Sequence, residues 1–590
     1  MDSTMMDVPL TVGMIMRHGT TVHGDSEVVT WTSDGARRAS YAEVGWRAAQ
    51  LAGALRQLGV TGDQRVATFQ WNNQEHLEAY LAIPSMGAVV HTLNLRLAAD
   101  QVAWIANHAE DDVVIVDGSL VPLLARALPA MKTVRHVIVV GEADKLCSVG
   151  GADKLVATGE ADRSGAAGGA DKLGTVSPID TSALEGAGKA VHSYHELLSA
   201  QPEHFEWPSD IDERAAAAMC YTSGTTDRPK GVAYSHRSTY LHSMCICTGE
   251  VTGLIPGDRI LPVVPMFHAN AWGLPYAALM AGASLIMPDR FLQAESLVRL
   301  IEAERPTIAG AVPTIWGDVL RHLRAHGGDV SSISRVICGG SAVPLTLMKA
   351  FSDELGVEVK QGWGMTETSP IGSVATPPVG AEGDEAWRYR ASAGRLLAGV
   401  EGRVVGDDDV VLPSDGESVG EIEVRGPWVT VRYYGGDTGD PDSARFHDGW
   451  LRTGDVGTID KLGFITISDR AKDVIKSGGE WISSVMLENA LMAHPKVVEA
   501  AVVAVPDDKW VERPLATVVV AEGGQVSVAE LRDHLSASVP AWQLPERWSF
   551  ITEVPKTSVG KFDKKLLRQR YAAGTLDVLH APRYGDISGQ

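Results

Sequence analysis

Two short runs, Asp112-Val113-Val114-Ile115-Val116 and His136-Val137-Ile138-Val139-Val140, constrain this chain more than any other feature. Neither alternates polar with apolar residues. A strand of that kind is buried on both faces, as strands are in a parallel sheet covered by helices on each side. Residues 48–58 place apolar side chains at helical spacing, and residues 65–69 read as the strand that follows. The same alternation resumes between residues 256 and 355, with strands expected at 259–264, 284–287 and 335–338. Strands alternating with helices predict a doubly wound α/β layer structure with mixed sheets.

Two later stretches differ. Residues 394–467 are rich in Gly, Asp and Val with short strands such as 420–425, which predicts a small β-subdomain. After residue 469, strands at 499–505 and 516–520 with helices at 484–494 and 528–538 predict a compact α+β unit. A chain of 590 residues also exceeds what one hydrophobic core serves. The expected division is therefore a large N-terminal domain over 1–468, a hinge at 469–472 and a small C-terminal domain over 473–590. Residues 141–175 form an insert in the first. There GEADKL, GGADKL, GEADRS and GGADKL recur every nine residues from Gly141, Gly150, Gly159 and Gly168. The repeats lack the paired glycines of a calcium-binding β-roll, and their composition reads as a surface loop.

A formal net charge of -22 argues against nucleic-acid binding and against anionic membrane surfaces. An anionic ligand would need local cations and backbone amides. No stretch of 18 apolar residues predicts a membrane-spanning helix, and the first residues carry no secretory signal. Five cysteines fit a reducing cytoplasm. Cys245-Ile246-Cys247 has no second ligand pair nearby and reads as helix.

Chemistry enters at Tyr221-Thr222-Ser223-Gly224-Thr225-Thr226-Asp227-Arg228-Pro229-Lys230-Gly231-Val232. Hydroxyls, a glycine and a lysine after a buried run can wrap phosphate oxygens with amide, hydroxyl and ammonium donors. The Walker A pattern is absent. Over three residues this would be an ordinary Ser/Thr turn, but further motifs follow in order. These are Gly339-Gly340-Ser341-Ala342, Gln361-Gly362-Trp363-Gly364-Met365-Thr366-Glu367-Thr368 and Thr453-Gly454-Asp455. Beyond them come Asp469-Arg470-Ala471-Lys472-Asp473-Val474-Ile475-Lys476-Ser477-Gly478-Gly479-Glu480 and Pro555-Lys556-Thr557-Ser558-Val559-Gly560-Lys561.

In this set, spanning roughly residues 30 to 571, the chain resembles the adenylate-forming superfamily. Val264-Pro265-Met266-Phe267-His268-Ala269-Asn270-Ala271-Trp272 and Lys476-Ser477-Gly478-Gly479-Glu480-Trp481 resemble its bacterial medium- and long-chain fatty acyl-CoA synthetases. The resemblance implies ATP, Mg²⁺ and coenzyme A, a carboxylic-acid substrate, and a mobile C-terminal domain. Glu367 and Thr222 would hold Mg²⁺, while Thr226 and Lys230, with Ser223, Gly224 and Thr225, would meet the phosphates. Gly339, Gly340, Ser341, Ala342, Gly362, Trp363, Gly364, Met365 and Thr366 would contact the nucleotide. Asp455 would bind the ribose with Arg470 beside it, and Lys561 would reach the acyl carboxylate as catalytic cation. Lys472 would be the hinge, Lys476, Gly478, Gly479, Glu480 and Trp481 would line the coenzyme A path, and His268 and Trp272 the acyl pocket. A homodimer through exchanged N-terminal segments is implied as well.

Asp227 stands where the family usually has glycine, which places a negative charge beside the phosphates unless Arg228 offsets it. Three alternatives stay open. One is an adenylation enzyme for a short, sulfur-containing or aromatic acid; another passes its acyl group to an acceptor other than coenzyme A. The third binds nucleotide without catalysis.

Overall fold

The computed structural model describes residues 1, 3–141, 146–147, 179–222, 228–406, 408–436, 441–477, 480–521, 523–557 and 562–582. Ser223, Gly224, Thr225, Thr226, Asp227, Gly478, Gly479 and Lys561, with most of the nine-residue repeats, lie outside them.

A seven-stranded sheet holds the apolar runs. Its order is Gly231–Ser235, Ala216–Tyr221, Val89–Thr92, Arg65–Phe69, Asp111–Asp117, His136–Val140 and Ala190–Ser193. Every neighbouring pair is parallel except the first two strands, which are antiparallel. Val113, Val114, Ile115 and Val116 are all fully buried, as strands covered on both faces must be. The helix expected at 48–58 starts earlier, spanning Tyr41–Gln57. A capping box explains the start: Ser40 Oγ accepts from the Glu43 N–H, and Glu43 accepts from the Ser40 N–H.

A 15-stranded sheet carries most of the site. Its parallel run is Ser284–Met287, Arg259–Pro262, Ile308–Ala311, Arg335–Gly339 and Glu358–Gly364. Antiparallel pairing then continues through Ile371–Val374, Gly394–Leu396, Phe464–Arg470, Trp450–Ile459 and Gly420–Arg425. The Gly- and Asp-rich stretch is thus hydrogen-bonded to the parallel run rather than forming a separate sheet. Gly394 makes the join: its φ is +99°, and a Cβ there would stand 2.2 Å from the Val374 carbonyl carbon.

A six-stranded sheet contains Glu480–Ile482, Ile475–Ser477, Val497–Asp507, Val511–Val520, Arg547–Phe550 and Leu579–His580. Helices Ser484–Met492 and Val528–Ser536 close over it around the fully buried Trp548. Cys245 and Cys247 lie on the helix His236–Cys247. No described helix is long and apolar enough to cross a membrane.

Candidate active site

The antiparallel pair Ala216–Tyr221 and Gly231–Ser235 holds both ends of the hydroxyl-rich loop. The Thr222 N–H donates to the Lys230 carbonyl at 2.8 Å, and Thr222 Oγ1 accepts from the Lys230 N–H at 3.2 Å. Lys230 Nζ lies 5.2 Å from the centroid of the Tyr433 ring. The Arg228 guanidinium sits 5.6 Å from the centroid of Trp104.

Gly339 and Gly362 face each other across the strands Arg335–Gly339 and Glu358–Gly364. A Cβ on Gly339 would stand 2.7 Å from the Gly362 carbonyl oxygen, so any side chain there would force the strand ends apart. Trp363 Nε1 donates to Asp455 Oδ2 at 2.8 Å, and Arg470 Nε pairs with Asp455 Oδ1 at 3.2 Å. Asp455 and Arg470 are register partners on neighbouring strands. The Asp455 carboxylate is thus oriented by donors on both oxygens and keeps lone pairs for further donors. Ser341 and Ala342 are exposed just past Gly340 and do not line the cavity described below.

Glu367 lies in the short 3-10 turn Thr366–Thr368, 5% exposed. Its Oε1 accepts from the Tyr433 hydroxyl at 2.5 Å and pairs with Arg445 Nη1 at 3.2 Å. Arg445 Nη1 also donates to the Tyr433 oxygen at 2.5 Å. Both contacts fall on Oε1, and Oε2 has no partner among the described residues. Tyr433 and Arg445 were not among the sequence candidates. They follow Glu367 by 66 and 78 positions and carry no local pattern that points to it.

On the opposite wall Trp272 lies in a left-handed turn. Ala269, Asn270, Ala271 and Trp272 have φ of 42°, 53°, 50° and 58°, and Gly273 follows at 74°. For Ala269, Ala271 and Trp272 that conformation costs about 1–2 kcal/mol each, because Cβ crowds the next carbonyl. Surrounding contacts must hold the turn. Asn270 is 6% exposed, and its Oδ1 accepts from Cys220 Sγ at 3.0 Å and lies 3.3 Å from the Tyr80 hydroxyl. Tyr80 also donates to the Met266 carbonyl. A Cβ on Gly273 would stand 2.7 Å from His242 Nδ1, so only glycine fits. Burial drives the pKa of His242 down to about 3, leaving a neutral ring against the turn.

Many of these groups line one cavity of about 350 Å³, whereas Asp455 stands behind its partners Trp363 and Arg470 and is not among the lining residues. Thr222, Lys230, Gly339, Gly340, Gly362, Trp363, Gly364, Met365, Thr366, Glu367, Arg470 and Lys472 line it, with Tyr433, Arg445, Thr453 and Gly454. The rest of the lining is largely apolar, with Ile246, Val251, Ala269, Leu274, Ile337, Cys338, Pro370 and Ile371 beside Thr252, His268 and Trp272. Desolvation by the surrounding protein pulls the Lys472 ammonium below its ordinary pKa, partly offset by Asp473, although the side chain reaches solvent. Lys476 is exposed on Ile475–Ser477, where its N–H donates to Glu512 Oε2 at 2.8 Å. Glu480 and Trp481 stand on the adjacent strand, opposite Ser477 and Lys476. Lys476 does not line this cavity.

Next to Arg470, Asp469 Oδ2 accepts from both the N–H and the hydroxyl of Ser484, at 2.5 and 2.6 Å. Lys564 Nζ donates to Ser484 Oγ at 2.6 Å and pairs with Glu488 Oε1 at 2.8 Å. Burial alone would lower the Lys564 pKa, but Glu488 and Asp469 outweigh it and raise it. This buried network ties the last strand of the 15-stranded sheet to two helices on the six-stranded one.

Two family models match: AMP-binding enzyme over residues 16–434, and AMP-binding enzyme C-terminal domain over 486–561. The chain is 42% identical to a long-chain-fatty-acid–CoA ligase of Thermus thermophilus, over 96% of this chain and 97% of that one. It is 40% identical to a 3-methylmercaptopropionyl-CoA ligase of Ruegeria pomeroyi, over 96% and 98%. In three dimensions it is similar to the anthranilate CoA ligase AuaEII in complex with anthranoyl-AMP. That match has a TM-score of 0.80 at 23% identity and covers 98% of this chain and 100% of the other.

Proposed function

The chain belongs to the AMP-binding enzyme family, and on that premise we propose that it is an AMP-forming acyl-CoA synthetase acting on an apolar, medium- or long-chain fatty acid. The observation that carries the reading is a cavity whose lining combines polar and cationic groups with apolar side chains. A nucleoside triphosphate needs the first and an acyl tail the second.

The acid's carboxylate attacks the α-phosphorus of ATP, and pyrophosphate leaves with its bonding electrons. Such a step requires anions to be held together and the charge of the transition state to be neutralised. We assign Lys230 and the loop Thr222 to Thr226 to the departing phosphates, and Asp455, oriented by Trp363 and Arg470, to the ribose hydroxyls. Glu367 offers a single carboxylate whose Oε2 has no partner among the described residues, and Thr222 lines the same cavity. Among the described residues no three metal-ligating side chains converge. That donor set suits Mg²⁺, which takes one carboxylate and completes its shell with phosphate oxygens and water. When bound it would neutralise phosphate charge; Tyr433 and Arg445 would fix the Glu367 carboxylate that receives it. Lys561 is assigned to the acyl carboxylate and the bridging oxygen.

In the second half-reaction the thiol of coenzyme A attacks the acyl carbonyl and AMP departs. We assign the hinge to Lys472, between a domain of residues 1–468 and one of 473–590. Lys476, Gly478, Gly479, Glu480 and Trp481 are assigned to the pantetheine path after rotation. Exposed Met1, Met5, Met6 and Val8 provide an apolar N-terminal segment for association of two copies, and the cysteine usage suits the cytoplasm. A short thioether acid, of the kind the Ruegeria relative is named for, also fits an uncharged wall. Coenzyme A thioester formation across straight-chain acids of increasing length, with 3-methylmercaptopropionate alongside, tests the reading. A maximum at medium or long chains supports it, and a maximum at the thioether acid replaces the substrate while keeping the reaction.

A further inference from the structure

The turn that carries Trp272 is disfavoured by its own residues, since three of its four left-handed positions are alanine or tryptophan. Its backbone bonds are local, such as the Ala271 N–H donating to the His268 carbonyl at 3.2 Å. Asn270 does what these cannot: its side chain reaches across to the strand Ala216–Tyr221, where Oδ1 accepts from the Cys220 thiol at 3.0 Å. Cys220 is suited to donate, because burial pushes its thiol up to about 11 and keeps the proton on sulfur at neutral pH. The turn in turn sets the indole. A Cβ placed on Gly310 would be 4.0 Å from Trp272 Cε3, and one on Gly339 would be 3.7 Å from Cη2. The ring therefore lies across two neighbouring strands where neither carries a side chain, and it lines the cavity there.

We propose that Asn270 is a positioning residue for acid selection: held by the Cys220 thiol, it keeps the left-handed turn and so fixes where Trp272 closes the acyl wall. The proposal rests on the acyl-CoA synthetase reading. Without the Asn270 contact the turn relaxes toward right-handed backbone, the indole leaves Gly310 and Gly339, and the wall no longer measures the tail. One misfitted methylene in an apolar pocket is worth about tenfold or more in kcat/KM, so loss of the wall should erase a discrimination of that size.

The experiment compares acid-dependent pyrophosphate release with straight-chain acids of stepwise increasing length in wild type, Asn270→Ala, Cys220→Ala and Cys220→Ser. The expected result is that Asn270→Ala flattens the ratio of kcat/KM between the preferred acid and one two carbons shorter by about tenfold. The KM for ATP should stay within about twofold, and Cys220→Ser, which keeps a donor, should retain the profile that Cys220→Ala loses. A loss of rate equal for all acids in Asn270→Ala overturns the proposal, as does a profile that shifts alike in the two Cys220 variants. If Asn270→Ala does not fold, the Cys220 pair decides. A wild type that releases no pyrophosphate with any acid overturns the reading beneath, which an unchanged profile in an active enzyme would leave standing.

Discussion

Replacing Asp455 by asparagine separates nucleotide recognition from folding. The carboxylate takes a donor on each oxygen, Trp363 Nε1 at 2.8 Å and Arg470 Nε at 3.2 Å, and is 4% exposed. An amide of the same shape offers one acceptor and one donor group. Its NH₂ must face either the indole N–H or the guanidinium, and the charge that strengthens any bond from the ribose is gone. Hydrogen bonds to a charged group are worth about 1.5–3 kcal/mol, so losing one to the ribose should lower kcat/KM for ATP by about 10- to 150-fold. Pyrophosphate release would be measured against ATP and against its 2′- and 3′-deoxy analogues. Wild type should discriminate against the analogue lacking the bonded hydroxyl, and Asp455→Asn should treat all three nearly alike. A variant that is slower but keeps the wild-type discrimination would refute the reasoning, because the carboxylate would then be only a strut between Trp363 and Arg470.

Three further outcomes are expected. Lys564→Met leaves Glu488 and Asp469 without the ammonium they share, and breaking a buried pair costs about 3–5 kcal/mol; an unchanged denaturation midpoint would contradict this. His242, held neutral with a pKa of about 3 against an ordinary 6.5, contributes stability that is fully present above pH 6.5 and lost as pH falls toward 3. At pH 5 the loss is about 2 kcal/mol, so the stability advantage of wild type over His242→Gln should shrink by that amount between pH 7.5 and 5, and a gap independent of pH would refute it. Lys472→Pro should spare acyl-adenylate formation and impair thioester formation in single-turnover assays; equal loss of both would remove the hinge assignment.

Much of the fold was legible because burial on both faces leaves a direct mark. Val113, Val114, Ile115 and Val116 could only be a covered strand, and the structure buries all four. Helix starts were read less well: apolar spacing marks the buried stripe, whereas the start at Tyr41 is set by the polar Ser40–Glu43 cap. The glycine-rich stretch after residue 394 was legible as a small β-subdomain from its short strands, but not its pairing with Ile371–Val374, which Gly394 allows. Within the candidate site, Glu367 could be picked out from local pattern, and the structure places it on the cavity wall. Tyr433 and Arg445 could not, since their relation to Glu367 exists only once the chain has folded back. The Trp272 turn was hidden for the same reason. Asn270-Ala271-Trp272 contains no glycine to signal left-handed backbone, and Tyr80, which faces Asn270, is 190 positions away.

The central claim is that one cavity first joins an acid to AMP and then yields the acyl group to coenzyme A. Rapid quenching of enzyme with α-labelled ATP, Mg²⁺ and a medium- or long-chain acid, followed by addition of coenzyme A, tests it directly. The account predicts an acyl-adenylate that accumulates without coenzyme A and decays on its addition as thioester and AMP rise in equal amount, with Lys561→Ala losing the first phase. Formation of ADP, or an adenylate that persists when coenzyme A is added, would contradict it.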